Sequence, residues 1–394
     1  MVLREVRLGD VLQLERIAVD VDPDAEYRQI GVRSFGNGIF HRDPCLGSEL
    51  SKLKYFEVVP GRLVVSNIMA WEGAIGVSTK EEDGFVGSAR FLSYRPIGEV
   101  DLRYLNYFFQ SDAGKSLIKS VSTGTVARNQ TVSPRNFESA IVPLPDMAEQ
   151  RRVADRLDAA METRIRLHEK ISGRAALVSS TLDALEAQVF DDCLARGWKS
   201  DPMHSFAEVN PKTERPGATE NVAFVPMAAL SDFKGEIDGA SYKAAGDVGS
   251  GYKLFRRGDV VFARITPCMQ NGKSAIFQDD LAVHGFGSTE FHVIRAHAEG
   301  DNRWIHRIVR SRRFRDTALP FMTGTAGQQR VPAQYLRNVE IPIPPNSAAR
   351  EAALKALDRI HEQRVRFRDL HIQEVGSVKC LRSALLDAAF SGRI

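Results

Sequence analysis

The chain has few of the features that usually announce a function. Its four cysteines, Cys45, Cys193, Cys268 and Cys380, lie far apart, with no Cys-x-x-Cys pair and no histidine cluster to complete a zinc site. They read as free thiols, mostly buried. No run of about 18 apolar residues occurs, and the opening Met1 to Arg7 alternates charge with apolar residues where a signal peptide would be continuously apolar. The expectation is a cytoplasmic protein with no membrane partner. A net charge of only +3 over 394 residues also means that overall charge does not announce a nucleic-acid binder.

Catalytic signatures are equally scarce. Gly114-Lys115-Ser116 and Gly272-Lys273-Ser274 end like a phosphate-binding loop, but Phe109 and Pro267 stand where its first glycine is required. Asn210-Pro211-Lys212 begins like the Asn-Pro-Pro-aromatic motif of adenine methyltransferases, without the second proline or the aromatic that would hold a flipped base. Phe35-Gly36-Asn37-Gly38 reads as a turn rather than a cofactor loop. The scattered histidines, including His284, His292 and His297, lack helical metal spacing and fit surface or satisfied core positions. No catalytic, cofactor or metal residue is expected.

What the chain does have is itself, twice. Gly87-Ser88-Ala89-Arg90-Phe91 is answered by Gly287-Ser288-Thr289-Glu290-Phe291, and Thr123-Gly124-Thr125 by Thr323-Gly324-Thr325, at a constant offset of 200 (287 − 87, 323 − 123). Pro143-Leu144-Pro145 returns as Pro342-Ile343-Pro344, and Phe190 returns as Phe390. A duplicated sequence predicts a duplicated architecture.

Each copy changes texture at its Pro-x-Pro. Before it, short apolar runs broken by Gly, Asn and Asp predict a strand-rich mixed α/β domain. After it, glycine and proline nearly vanish. Apolar residues recur at helical spacing from Val153 through Leu157, Met161 and Ile165 to Val189, with Asp146 and Glu149 as a capping pair. The second copy repeats the pattern from about Ser347 to Phe390. Two helices each with a narrow apolar stripe should pack together as an antiparallel coiled coil. Gly173 and Gly376 fall mid-helix, where each costs about 1 kcal/mol relative to alanine, which leaves room for a kink or a local break there. The expected domains are 1–145, the helix 146–200, 201–343 and the helix 344–394.

With this layout, the run from Gly258 to Lys273 (GDVVFARITPCMQNGK), the Gly287 to Phe291 segment and the stretch from Thr323 to Pro345 resemble the specificity subunits of type I restriction-modification enzymes along essentially the whole chain. The resemblance implies two tandem target recognition domains, each reading half of a split double-stranded DNA target, with two helices as spacer and docking surface. It implies two methyltransferase subunits and restriction/translocase subunits as partners. S-adenosylmethionine, ATP and Mg²⁺ would then be used on those partners, with no cofactor and no catalysis here. Family members often open each helical region with Glu-Gln. Glu149-Gln150 fits and Ala349-Arg350 does not, which implies unequal partner surfaces. The competing readings are the recognition half of an enzyme with a cryptic active site, and a coiled-coil scaffold that binds only protein.

Base edges in the major groove call for Arg or Lys at guanine and Asn or Gln at adenine. Two loops per copy carry such residues. One follows the Gly-x-x-Val strand, with Asn67 and Trp71 in the first copy and Arg264, Gln270, Asn271 and Lys273 in the second. The other follows Thr-Gly-Thr, with Arg128, Asn129 and Gln130, then Gln328, Gln329 and Arg330; it is either a reader or a polar turn capping the next strand. Arg303 to Arg315 is rich in arginine with no acid. There Arg307, Arg310, Arg312 and Arg313 are candidates for phosphate or partner contact, the alternative being a solvated helix face.

Overall fold

The runs Leu63–Ser66 and Val260–Ala263 show no alternation, all four residues of each being buried. A strand covered on both faces needs neighbours on both edges. In the computed structural model, which describes residues 3–124, 130–325 and 327–391, each has them. Leu63–Ser66 lies between Ile75–Val77 and Phe91–Pro96, with Leu12–Leu14 outermost and all pairs antiparallel. Val260–Ala263 lies between Ser274–Ile276 and Phe291–Ala296, with Ala207–Val209 outermost. The two sheets share one strand order, so the repeat in the sequence is a repeat of fold.

Two helices follow each sheet, Leu102–Gln110 with Asp112–Val121, and Asp301–Arg310 with Arg312–Ala318. Ser111 and Ser311 sit at the same joint. Each Oγ donates to a carbonyl of the helix just ended, Phe108 or Ile308, and accepts the amide of Gly114 or Phe314 in the helix just begun.

The long helices are Met147–Ala195, of 49 residues, and Ser347–Phe390, of 44. Asp146 and Asn346 cap them by accepting the amides of Glu149 and Ala349, each at 2.9 Å. The helices run through Gly173 and Gly376 without a break. One glycine removes no hydrogen bond from the ladder, and its penalty of about 1 kcal/mol is small against propagation on both sides.

By internal contacts the residues fall into two units, Met1–Ile171 with Glu374–Ile394, and Ser172–Gln373. Each helix lends one end to each unit. In the first, Leu157 and Met161 share a core with Leu386 and Ala389; in the second, Phe190 and Cys193 share one with Leu354 and Leu357. The start of one helix thus meets the end of the other, which makes them antiparallel within each unit. The ends of their apolar stripes join the two globular cores, while Ile171, Leu182 and Val378 are buried along the helices between those ends.

The Glu-Gln position lies inside this packing. Gln150 is fully buried, its Oε1 accepting the Asp101 amide at 2.9 Å and its Nε2 donating to Pro145 O. Arg350 occupies the same place in the second unit, bonded to Asp301 and to Glu299 O. The exchange of Gln for Arg is taken up in an internal joint of each unit.

All four cysteines are free, but only Cys193 is buried, Cys380 being exposed and the others intermediate. Among the described residues no helix is long and apolar enough to cross a membrane, and no group of three or more His, Cys, Asp and Glu is placed to hold a metal ion.

Candidate nucleic-acid interface

The two loops singled out in each copy meet. In the second unit the hairpin after Thr323-Gly324 closes through reciprocal backbone bonds between Thr323 and Arg330. Beside it, Thr266 N donates to Gln329 O, Gln329 N donates back to Thr266 Oγ1 at 3.1 Å, and Val331 N donates to Arg264 O. Arg264 N in turn donates to Glu290 O. Arg264, Glu290 and Arg330, scattered over 67 residues (330 − 264 + 1), become one cluster.

Glu290 holds both arginines. Its Oε2 accepts Arg264 Nε at 3.1 Å, and its Oε1 accepts Arg330 Nη2 at 2.8 Å. These bonds, that from Arg330 first, hold its carboxyl below the usual carboxylate range against the opposing effect of burial. Each nitrogen of Arg330 is engaged, Nη1 donating to Gln328 O at 2.8 Å. Arg264 differs: among the described residues its two Nη groups have no hydrogen-bond partner, and the side chain is about 30% exposed. The free edge of Arg264 is the fork that a guanine or a phosphate would take.

The rest of the Arg264 loop divides. Gln270 and Asn271 are exposed, whereas Lys273 turns inward and donates to Met227 O at 3.2 Å. Lys273 is therefore corrected from a DNA-facing donor to a strut under the loop. Gln328 is exposed and Gln329 half-buried.

The first unit repeats the junction with other side chains. Asn67 N donates to Arg90 O, Val132 N donates to Asn67 O, and Thr123 pairs with Thr131. Asn67 thus stands at the place of Arg264, Arg90 at that of Glu290, and Gln130 at that of Gln329. Among the described residues, Asn67 Oδ1 and Gln130 Oε1 are buried with no hydrogen-bond partner. Arg90 is exposed and borders a cavity of about 400 Å³ that Ile68 and Met69 also line. Trp71 instead donates its Nε1 to Ile68 O at 3.2 Å and packs partly on the core. Arg128 and Asn129 lie outside the described residues.

The arginine-rich run is neither a phosphate strip nor a solvated face along its length. Arg303 and Arg307 point at the second long helix and share Asp358, at 2.9 and 2.6 Å. Arg310 donates to Gly272 O, Asp232 O and Phe233 O. Spacings of four and three residues put these side chains on one inward face, which removes Arg307 and Arg310 from the phosphate candidates. Arg312 and Arg313, on the next helix, remain more than half exposed, paired with Asp316 and Asp191.

Sequence reasoning missed Arg90 and Glu290 as site residues. Both stood inside the matched Gly-Ser-x-x-Phe segments, and the opposite charge at one repeated position was the available signal. Asn210, rejected as a methyltransferase residue, is a brace. Its amide bonds His292 Nδ1 at 2.9 Å and accepts the Val293 amide.

No family model matches the chain. Over 158 residues, 39% of its length, it is 37% identical to the EcoEI specificity subunit of Escherichia coli, a type I restriction enzyme component. It is 33% identical over 192 residues to the EcoAI specificity subunit of the same organism. These matches span only 26% and 32% of those relatives. A longer match, 21% identical over 362 residues, is to the StySPI specificity subunit of Salmonella potsdam, covering 86% of this chain and 76% of that one.

Among solved structures, the HsdS subunit from Thermoanaerobacter tengcongensis matches all of the chain with a TM-score of 0.57, covering 97% of its own length. A chain from a structure of complex assembly in the type I R-M system matches with a TM-score of 0.74 and 98% coverage. Both are 18% identical and speak for the fold. In local sequence the chain is thus similar to type I restriction specificity subunits, and over its whole length it shares the fold of the solved HsdS subunit.

Proposed function

We propose that the chain is the DNA-reading subunit of a type I restriction-modification complex, each unit reading one half of a split double-stranded target. The observation that carries this is the duplicated junction. In both units the same backbone bonds bring a strand-end loop and a hairpin together, while the side chains presented there differ in kind. A shared scaffold with unlike polar tips suits two readers of unlike sequences.

In this reading Arg264 reads, Glu290 and Arg330 hold it, and Asn67, Arg90 and Gln130 serve the other half-site. Gln270, Asn271 and Gln328 are further base or backbone contacts, and Arg312 and Arg313 remain for phosphate or partner. Chemistry belongs to other chains: two methyltransferase subunits and restriction subunits, using S-adenosylmethionine, ATP and Mg²⁺. The chain itself is non-catalytic and works in the cytoplasm.

The test is a map of methylated adenines in cells expressing the chain with its methyltransferase partner, repeated after exchange of residues 1 to about 145 for those of a relative. One half of the target should change while the other stays. Loss of both halves together, or labelled methyl transfer by the purified chain alone, overturns the reading.

A further inference from the structure

The second unit contains a cavity of about 300 Å³ that the DNA-reading hypothesis does not use. Ends of both long helices wall it on one side, and Asn271, Gly272 and the Asp232-Phe233 turn wall it on the other. Five guanidinium groups line it, from Arg307, Arg310, Arg315, Arg364 and Arg368, against three carboxylates, from Asp183, Glu186 and Asp232.

The carboxylates do not satisfy these cations. Asp183 takes Arg364 at 2.8 Å, and Glu186 stands 3.8 Å from the same arginine. Arg307 is held from outside the lining by Asp358. Arg310 finds only backbone carbonyls, and Arg368 lies over the Phe233 ring, 3.9 Å from its centroid. Arg315 donates one Nη to Gln270 O, while its Nε is buried with no partner among the described residues. Burial, with Arg307 beside it, pulls the Arg310 guanidinium down to about 10, and burial also lowers that of Arg315. His361, pushed down to about 4 by burial and then by these arginines, adds no charge at neutral pH.

We infer that this cavity is a binding site for a small phosphorylated molecule, its phosphoryl oxygens taking the unused donors of Arg315, Arg307 and Arg368. Planar guanidinium forks match phosphoryl oxygens in pairs and are the usual means of holding them. The volume exceeds that of a bare phosphate and falls at the lower end of ligand pockets, which fits a pyrophosphate or a nucleotide. A bound dianion would tie the Gln270–Gly272 turn to the long helices. The inference stands whether or not the chain reads DNA.

The test is calorimetric titration of the full chain with inorganic pyrophosphate, ATP and adenosine. Pyrophosphate or ATP should bind, ATP more tightly if the base also contacts the walls, and adenosine should not. Arg315→Gln should weaken binding by tenfold or more, while Arg337→Gln, in the same unit but exposed and outside the cavity, should leave it unchanged. Because Arg315 also holds a loop carbonyl, Arg368→Gln serves as a second variant with only a ring contact to lose. Its loss should also weaken binding at least severalfold. Absence of binding by both phosphorylated probes at millimolar concentration overturns the inference. Equal loss in the Arg337 variant, or binding of adenosine alone, does so too.

Discussion

The two units carry the same junction with opposite chemistry. In the second, an acid grips two arginines and leaves one edge of Arg264 open; in the first, a lone arginine stands near two buried amide oxygens. Four of the backbone bonds correspond: the reciprocal pair of each hairpin, Val132 N to Asn67 O with Val331 N to Arg264 O, and Asn67 N to Arg90 O with Arg264 N to Glu290 O. Duplication preserved what positions the loops, and divergence acted on what the loops present.

Acid should separate the units most. Burial lowers His292 to about 4, His306 to about 3 and His361 to about 4, and all three lie in the second unit. A base whose folded pKa is depressed binds fewer protons folded than unfolded, so stability falls as pH drops from about 6.5 toward 4. In the first unit Glu82 is a carboxylate with a lowered pKa, whose contribution is lost only below about 4.5. Hydrogen exchange at pH 5 against pH 7.5 should show protection lost in residues 172–373 first. Equal loss in both units would break the contrast.

The internal joints offer the next test. Arg350→Ala leaves Asp301 nearly buried without its partner and should destabilise the second unit by about 3 to 5 kcal/mol. Gln150→Ala removes neutral hydrogen bonds and should cost the first unit about 1 to 3 kcal/mol. Denaturant titration with a probe in each unit measures both, and the reverse order would show that the two joints are not equivalent.

At the junctions, Arg264→Ala should weaken specific binding by about 1 to 3 kcal/mol, with discrimination relaxed only in the half-site read by residues 201–343. Competition binding against single-base variants of the target decides this; a uniform loss on all sequences would make Arg264 a phosphate contact. Glu290→Gln should have the smallest effect on affinity. By releasing Arg330 it should steepen the salt dependence by about one unit of slope, seen in binding at 50 and 200 mM salt. An unchanged slope would mean that neither arginine faces DNA.

The repeat, the long helices and the pairing of two loops per copy were legible because each rests on local pattern. The Arg264–Glu290–Arg330 cluster was not, because its members come from three strands and loops that meet only through sheet order. The run from Arg303 to Arg315 misled for a related reason. It contains no acid, and the acid that neutralises Arg303 and Arg307 is Asp358, on the other side of the Pro-x-Pro. Lys273 was read as exposed because its neighbours Gln270 and Asn271 are, yet the turn at Gly272 faces its ammonium toward Met227.

The way the cores are closed has a consequence for divided chains. Phe390 meets Tyr104 and Phe108 edge-on, at 5.3 and 5.6 Å between ring centroids, and Phe190 meets Trp304 in the same manner at 5.4 Å. Each is a plug at the far end of a long helix, and each fills a socket in the copy that did not encode it. A half-chain cut near residue 200 would own one socket and one plug, with the plug held out of reach by its own helix. Two such halves can satisfy each other reciprocally, socket to plug, in a closed two-fold dimer. The single linkage would then be what lets the two copies diverge in sequence.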